Sequence, residues 1–245
     1  MPFPLRALRP LRPALDGLLD LLWPCTCLAC ATPVLRPGFC LPCAELVAPR
    51  DGPRCALCDA GLPTAGPVHR CGRCLARAPR FAQAWGLFDY AGPVGDAIRA
   101  GKYRGRPDGL PSVARALKRC LPEALRADPP LAVVPVPLHP RRLHQRRVDA
   151  PLVLAAAVAD ALAVPLRPWV AVRHRDTPSQ AGLSEVARRD NVRAAFQVRR
   201  TPPLDVLVVD DVMTTGATVD ALSRALRRAG AERVRVLAAA AVERR

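Results

Sequence analysis

The chain is short of aromatic rings, of lysine and of acid. Phe, Trp and Tyr make up 4% of its 245 residues, and of the 37 basic residues only Lys102 and Lys118 are lysines, against 21 acids. Few rings leave few platforms on which unpaired bases can stack, and Trp23, Phe39, Trp85 and Phe88 are the candidates. Long apolar runs are missing as well. Nothing approaches the roughly 18 uninterrupted apolar residues of a membrane helix, so no membrane span is expected. The basic, apolar start of the chain fails as a secretory signal, because Asp16 and Asp20 interrupt it and no small-residue cleavage site follows. A cytoplasmic location is expected. Leu15, Leu18, Leu19 and Leu22 fall instead at the i, i+3, i+4, i+7 spacing of an amphipathic helix within residues 1–24. Its apolar stripe is expected to pack on the protein itself rather than on a membrane surface.

Cysteine is nearly absent from the last two thirds of the chain, where only Cys120 occurs, and is dense between Cys25 and Cys74. That imbalance predicts three segments: residues 1–24, a cysteine-rich unit over residues 25–78, and an α/β domain over residues 79–245. Four C-x2-C pairs follow one another: Cys27/Cys30, Cys40/Cys43, Cys55/Cys58 and Cys71/Cys74. Two thiolates from one tight turn reach a single tetrahedral ion, so two such knuckles complete a closed four-cysteine site and four make two. A disulfide framework does not suit a chain without a secretory signal, and the common iron–sulfur spacings are not met. Two structural Zn2+ ions are therefore expected. Pairing of the first two knuckles and of the last two is the simplest arrangement, with interleaved pairing the alternative. Cys25 and Cys120 are expected to be outside both sites.

The formal net charge is +16. Eight thiolates around two divalent ions lower that excess to about +12. Such a surface favours polyanions, single-stranded DNA among them, although a base-composition bias towards Arg accounts for the same numbers.

Beyond residue 84 apolar runs alternate with helical patterns. Residues 131–136, 206–209 and 234–241 read as strands buried on both faces, and residues 110–126, 151–163 and 217–229 as helices, the last closed by Gly230. Alternation of this kind implies a parallel sheet covered by helices.

The segment Val206-Leu207-Val208-Val209-Asp210-Asp211-Val212-Met213-Thr214-Thr215-Gly216-Ala217-Thr218 carries the chemistry. Two acids at the carboxyl end of a buried parallel strand suit the vicinal hydroxyls of a ribose. The hydroxyl-rich loop that follows opens a helix, whose first amides and positive dipole end suit a phosphate monoester. Gly216 lets the backbone come close. A helix cap alone would explain one acid, not two followed by Thr-Thr-Gly-Ala-Thr.

This segment resembles the signature of the type I phosphoribosyltransferases, which bind phosphoribosyl pyrophosphate (PRPP). Val134-Pro135-Val136-Pro137-Leu138-His139-Pro140-Arg141-Arg142-Leu143, Lys102-Tyr103-Arg104-Gly105, residues 175–183 and residues 191–196 extend the resemblance to the ComF family, competence-associated proteins that join a double zinc ribbon to a phosphoribosyltransferase domain. The fold so implied is a parallel-sheet type I phosphoribosyltransferase domain behind a zinc-ribbon unit. The resemblance implies that Asp210 and Asp211 hold the ribose hydroxyls and lie near the developing ribosyl cation. It implies that Thr214, Thr215, Gly216, Ala217 and Thr218 hold the 5-phosphate, and that His139, Arg141 and Arg142 neighbour the pyrophosphate together with Mg2+. Arg173, Arg175, Gln180 and Arg188 would belong to a hood over the substrate. His144 and His174, in Arg-rich surroundings, are expected at the surface. Where many members continue with Arg-Gly-Phe-Asn-Gln, this chain has Arg147-Val148-Asp149-Ala150. Phosphoribosyl transfer to a nitrogen acceptor is the implied activity. A non-catalytic, PRPP-regulated module that binds single-stranded DNA or competence proteins is the rival expectation.

Overall fold

The structure, a computed structural model, describes residues 25–63, 69–106, 108–146, 148–175 and 195–243. The amphipathic stripe expected in residues 1–24, Trp23, and the expected hood residues Gln180 and Arg188 lie outside them.

The cysteine-rich region is one small unit built twice. The Cys27 amide donates to the Thr32 carbonyl at 2.7 Å, and the Cys55 amide to the Ala60 carbonyl at 2.8 Å. Ala31 and Asp59, each four residues after the first cysteine, both take the left-handed conformation (φ 60° and 59°). A short antiparallel bridge joins Thr26 to Pro33 in one copy and Arg54 to Gly61 in the other. In each copy the second knuckle opens a one-turn helix, α1 (Leu41–Glu45) after Cys40 and α2 (Gly72–Ala76) after Cys71. The only buried apolar side chains described before Phe81 are Leu28 and three cysteines. A region so poor in core needs another source of stability.

The remainder is an α/β sandwich. Strands β1 (Gln83–Asp89), β2 (Ala132–Pro135), β5 (Asp205–Met213) and β6 (Arg233–Ala241) form a parallel sheet in the order β1-β6-β5-β2, and β3 (Ala171–Arg173) pairs antiparallel with β4 (Phe196–Val198). Between them run α3 (Pro93–Tyr103), α4 (Gly109–Arg119), α5 (Glu123–Ala127), α6 (Pro140–Arg146), α7 (Ala150–Leu162) and α8 (Ala217–Arg228). Because β side chains alternate, β5 feeds two cores. Leu207 and Val209 pack with Ile98, Val113, Leu117, Leu154 and Val158 from α3, α4 and α7. Val206 and Val208 pack with Leu222 and Leu226 of α8 and with Phe196 of the β3–β4 hairpin. Each leucine so buried contributes about 2 kcal/mol. The parallel sheet expected from the alternation is present, and both of its faces are covered.

Two element boundaries differ from the sequence reading. The helix expected over residues 110–126 is two helices, because Pro122 cannot continue α4 and instead stands at the start of α5. The strand expected over residues 206–209 runs on to Met213, so the acidic pair lies inside β5 rather than beyond it. Partners on β6 explain the extension: Asp210 is paired with Ala238 and Val212 with Ala240. At the end of α8, Gly230 (φ 110°) fills the left-handed position, with the Ala231 amide reaching the Leu226 carbonyl at 3.0 Å and the Gly230 amide reaching Arg227 at 3.2 Å.

The cysteine-rich region covers the open edge of the sheet. The Arg50 amide donates to the Leu87 carbonyl of β1 at 2.7 Å, and the Ala84 amide of β1 donates to Leu57 at 2.8 Å. Arg50, its side chain buried, also pairs with Asp59 at 3.1 Å and with Glu243 at 3.0 Å. An unprotected edge strand would template pairing with another chain, and this one is closed. No helix among the described residues is long and apolar enough to cross a membrane.

Candidate ligand site and metal centres

The knuckles pair in sequence order. Cys27, Cys30, Cys40 and Cys43 form one group and Cys55, Cys58, Cys71 and Cys74 the other, with the four sulfurs of each within 4.8 Å of one another. The Cys30 and Cys40 sulfurs are 3.6 Å apart, as are those of Cys58 and Cys71. Four thiolates at zinc's bonding distance stand about 3.8 Å apart, so both donor sets fit a tetrahedral Zn2+. Backbone amides of Cys40 and Cys71 point at the Cys27 and Cys55 sulfurs, at 3.4 and 3.2 Å. Burial pushes the Cys58 thiol up to about 12 and raises Cys43 and Cys74 as well, with neighbouring cysteines adding to the rise. A divalent cation among them removes that penalty. Cys25 and Cys120 lie in neither group.

At the carboxyl edge of the sheet, β5 delivers the acidic pair. Asp210 is 8% exposed and Asp211 6%, and strand alternation turns them to opposite faces of the sheet. Lys102, from the last turn of α3, reaches Asp211 with Nζ 2.5 Å from Oδ2. Asp210 Oδ1 accepts the Asp211 amide at 2.9 Å. Burial first, and the charge of Asp211 second, raise the Asp210 carboxyl to about 7, against the pull of Lys102 and Arg173. A third carboxylate stands near: Asp149 caps α7, accepting the Leu152 amide at 3.1 Å. Burial, with Asp211 also pushing the same way, raises it too.

The loop after β5 is shaped for a close turn. Gly216 has φ 74° at the start of α8, and a Cβ there would meet only Val219, at 4.0 Å. Its left-handed conformation favours glycine whatever the space around it. Thr215 Oγ1 accepts the Ala217 amide at 3.3 Å, and no side chain caps the helix from Gly216. The second cysteine unit touches this loop: Arg73 Nη2 donates to the Thr215 carbonyl at 3.3 Å. Thr214 and Thr218 flank the turn, half-buried.

His139 follows β2, the neighbour of β5, so it too stands at the carboxyl edge. Its Nδ1 accepts the Arg141 amide at 3.3 Å. Arg141 is exposed on α6 and Arg142 half-buried. Arg173, on β3, is 5% exposed with its guanidinium 5.6 Å from the Phe196 ring centre, while Arg175 and His174 are exposed. Of the candidate stacking rings, Phe88 is fully buried, and Trp85 and Phe39 pack against the core. None of these three is a free platform.

Residues 150–245 match the family model of the phosphoribosyl transferase domain. Over 219 residues the chain is 32% identical to the DNA utilization protein YhgH of Salmonella typhimurium, covering 87% of this chain and 95% of that one. Competence protein F of Haemophilus influenzae is 28% identical over 210 residues, 83% of this chain and 90% of its own. The chain belongs to the ComF family. Among solved structures, a purine phosphoribosyltransferase from Pyrococcus horikoshii aligns with 53% of this chain and 71% of its own at 19% identity, with a TM-score of 0.32, too loose for comparing sites.

Two side chains of this ComF-family chain were not singled out as site residues by motif. Lys102 lies 109 positions before its partner Asp211, and no periodicity links them; only the buried ion pair does. Asp149, in the segment that departs from the common Gly-Phe-Asn-Gln, keeps what an asparagine would do at a helix cap and adds a negative charge facing Asp211.

Proposed function

We propose that this chain binds PRPP at the β5–α8 turn and transfers its phosphoribosyl group to a nitrogen acceptor, releasing pyrophosphate. One observation carries the reading: a buried acid pair followed, five residues after Asp211, by the Gly216 turn that opens a helix start lined by threonines. Asp210 and Asp211 accept the ribose hydroxyls and lie near the positive charge that grows on the sugar. Thr214, Thr215, Gly216, Ala217 and Thr218 take the 5-phosphate, where amides and helix dipole favour a dianion. His139, Arg141 and Arg142 face the pyrophosphate. The electron pair of the C1–O bond leaves with the pyrophosphate and the acceptor's lone pair forms C1–N. Mg2+, bound with PRPP, neutralises charge on the diphosphate and takes few protein ligands. Zn2+ in the two cysteine groups is structural, which metal analysis checks as two ions per chain. Arg173 and Arg175 belong to the substrate's cover, and the protein acts in the cytoplasm.

The basic excess of the chain and the names of its relatives favour a second reading, a PRPP-regulated module that binds single-stranded DNA or competence proteins in DNA uptake. Phe88 is buried and Trp85 partly buried against the core, which weighs against these two rings as stacking platforms. Calorimetric titration of PRPP with Mg2+ into wild type and Asp210→Asn/Asp211→Asn tests the site. Binding by wild type that the double variant loses supports it, and no binding by folded, zinc-loaded wild type removes the transferase reading. Acceptor-dependent pyrophosphate release then separates the enzyme from the module.

A further inference from the structure

We propose that Lys102 is a ligand-positioning residue that holds the diphosphate of PRPP against the acid pair, so that the site tells PRPP from ribose 5-phosphate. The proposal rests on the PRPP reading above and names the residue that would make it selective. Lys102 ends α3 with its side chain 8% exposed and its ammonium on Asp211, whose side chain is 9% exposed. The next residue ties the same turn to α6. Arg146 Nη2 donates to the Tyr103 hydroxyl at 3.0 Å, and its guanidinium lies 5.2 Å from the Tyr103 ring centre. The last turn of α3 is therefore clamped between β5, with its carboxylates, and α6, with Arg141 and Arg142.

An ammonium has three donors on a flexible stem. One bond to Asp211 Oδ2 leaves two for phosphate oxygens, so Lys102 can bridge the sugar-binding carboxylate and the diphosphate at once. Among the described residues the ammonium pairs with Asp211, while Asp149 and Asp210 add negative charge beside that carboxylate. A ligand with a diphosphate gains the bridge, whereas one with only the 5-phosphate, held at the far side of the sugar by the start of α8, does not.

The test is calorimetry of PRPP and of ribose 5-phosphate, each with Mg2+, on wild type and Lys102→Met. The expected result is about tenfold or greater weakening for PRPP with ribose 5-phosphate nearly unchanged. Equal weakening of both, or of neither, overturns the proposal and leaves Lys102 a neutralising partner. Failure of wild type to bind either ligand condemns the PRPP reading instead, and this proposal with it. Should the methionine variant misfold, the wild type still decides. With only two lysines in the chain, 15N-lysine labelling gives two ammonium signals. Magnesium pyrophosphate alone should shift that of Lys102 and leave Lys118 in place; an unmoved Lys102 signal with pyrophosphate bound contradicts the bridge.

Discussion

Strand β5 carries buried carboxylates at both ends, and the two ends are provided for differently. At its start, Asp205 Oδ2 receives Arg233 at 2.5 Å and Arg235 at 2.8 Å, while Arg233 also holds Asp128 at 2.6 Å. Two acids meet two guanidiniums, and Arg233 beside Asp128 holds that carboxyl below its ordinary range. At the other end Lys102 pairs with Asp211, Asp149 and Asp210 lie near that carboxylate, and Asp210 is pushed up to about 7. The first end pairs its charges with one another. Among the described residues the second gathers three carboxylates near one ion-paired ammonium and the pull of Arg173, as expected where a ligand, its metal and a cationic transition state also act.

The largest effect should come from breaking the balanced end. Arg235→Leu leaves Asp205 buried with a partner lost, and a cost of about 3 kcal/mol is expected in urea unfolding, with PRPP affinity unchanged. The opposite sign is expected at the other end. Asp210→Asn removes an unfavourable charge and should stabilise the protein by about 1 kcal/mol or more near pH 8 while abolishing PRPP binding. A loss of stability there would show the two ends to be alike.

The same difference has a pH signature. A carboxyl whose pKa is higher folded than unfolded binds protons more tightly in the native state, so stability falls as pH rises from the ordinary carboxylate range to about 7. Urea unfolding across that window should show the fall in wild type and little of it in Asp210→Asn. Asp128, shifted the other way, acts only below its ordinary range. The smallest effect belongs to Asp149. Asp149→Asn keeps the cap of α7 and should change stability by less than about 0.5 kcal/mol, whereas Asp149→Ala loses the cap and about 1 kcal/mol.

Much of this was legible in the chain, and the gaps have physical causes. The C-x2-C spacings announce the metal groups, but equal spacings leave pairing open until the backbone brings Cys30 to Cys40 and Cys58 to Cys71. The duplication was within reach, since Cys27 and Cys55 each open a knuckle that closes in a turn of the same kind. Pro122 announced the break between α4 and α5. The extension of β5 through Asp210 and Asp211 was hidden, because acids read as a strand's end and only pairing to β6 overrides that. Both β1, which contains Gly86, and the three-residue β3 and β4 were too weakly patterned to be read. Lys102 belongs to the Lys102-Tyr103-Arg104-Gly105 motif, but its pairing with Asp211 was out of reach, because the fold, not the local sequence, brings the two together.

The most direct test of the difference between the ends of β5 is thermal unfolding with and without Mg2+ and PRPP, run together on wild type, Arg235→Leu and Asp210→Asn. Wild type and Arg235→Leu should show the same ligand-induced rise in Tm from different starting points, and Asp210→Asn should show none. A rise retained by Asp210→Asn, or lost by Arg235→Leu, would contradict the assignment of one end to stability and the other to the ligand.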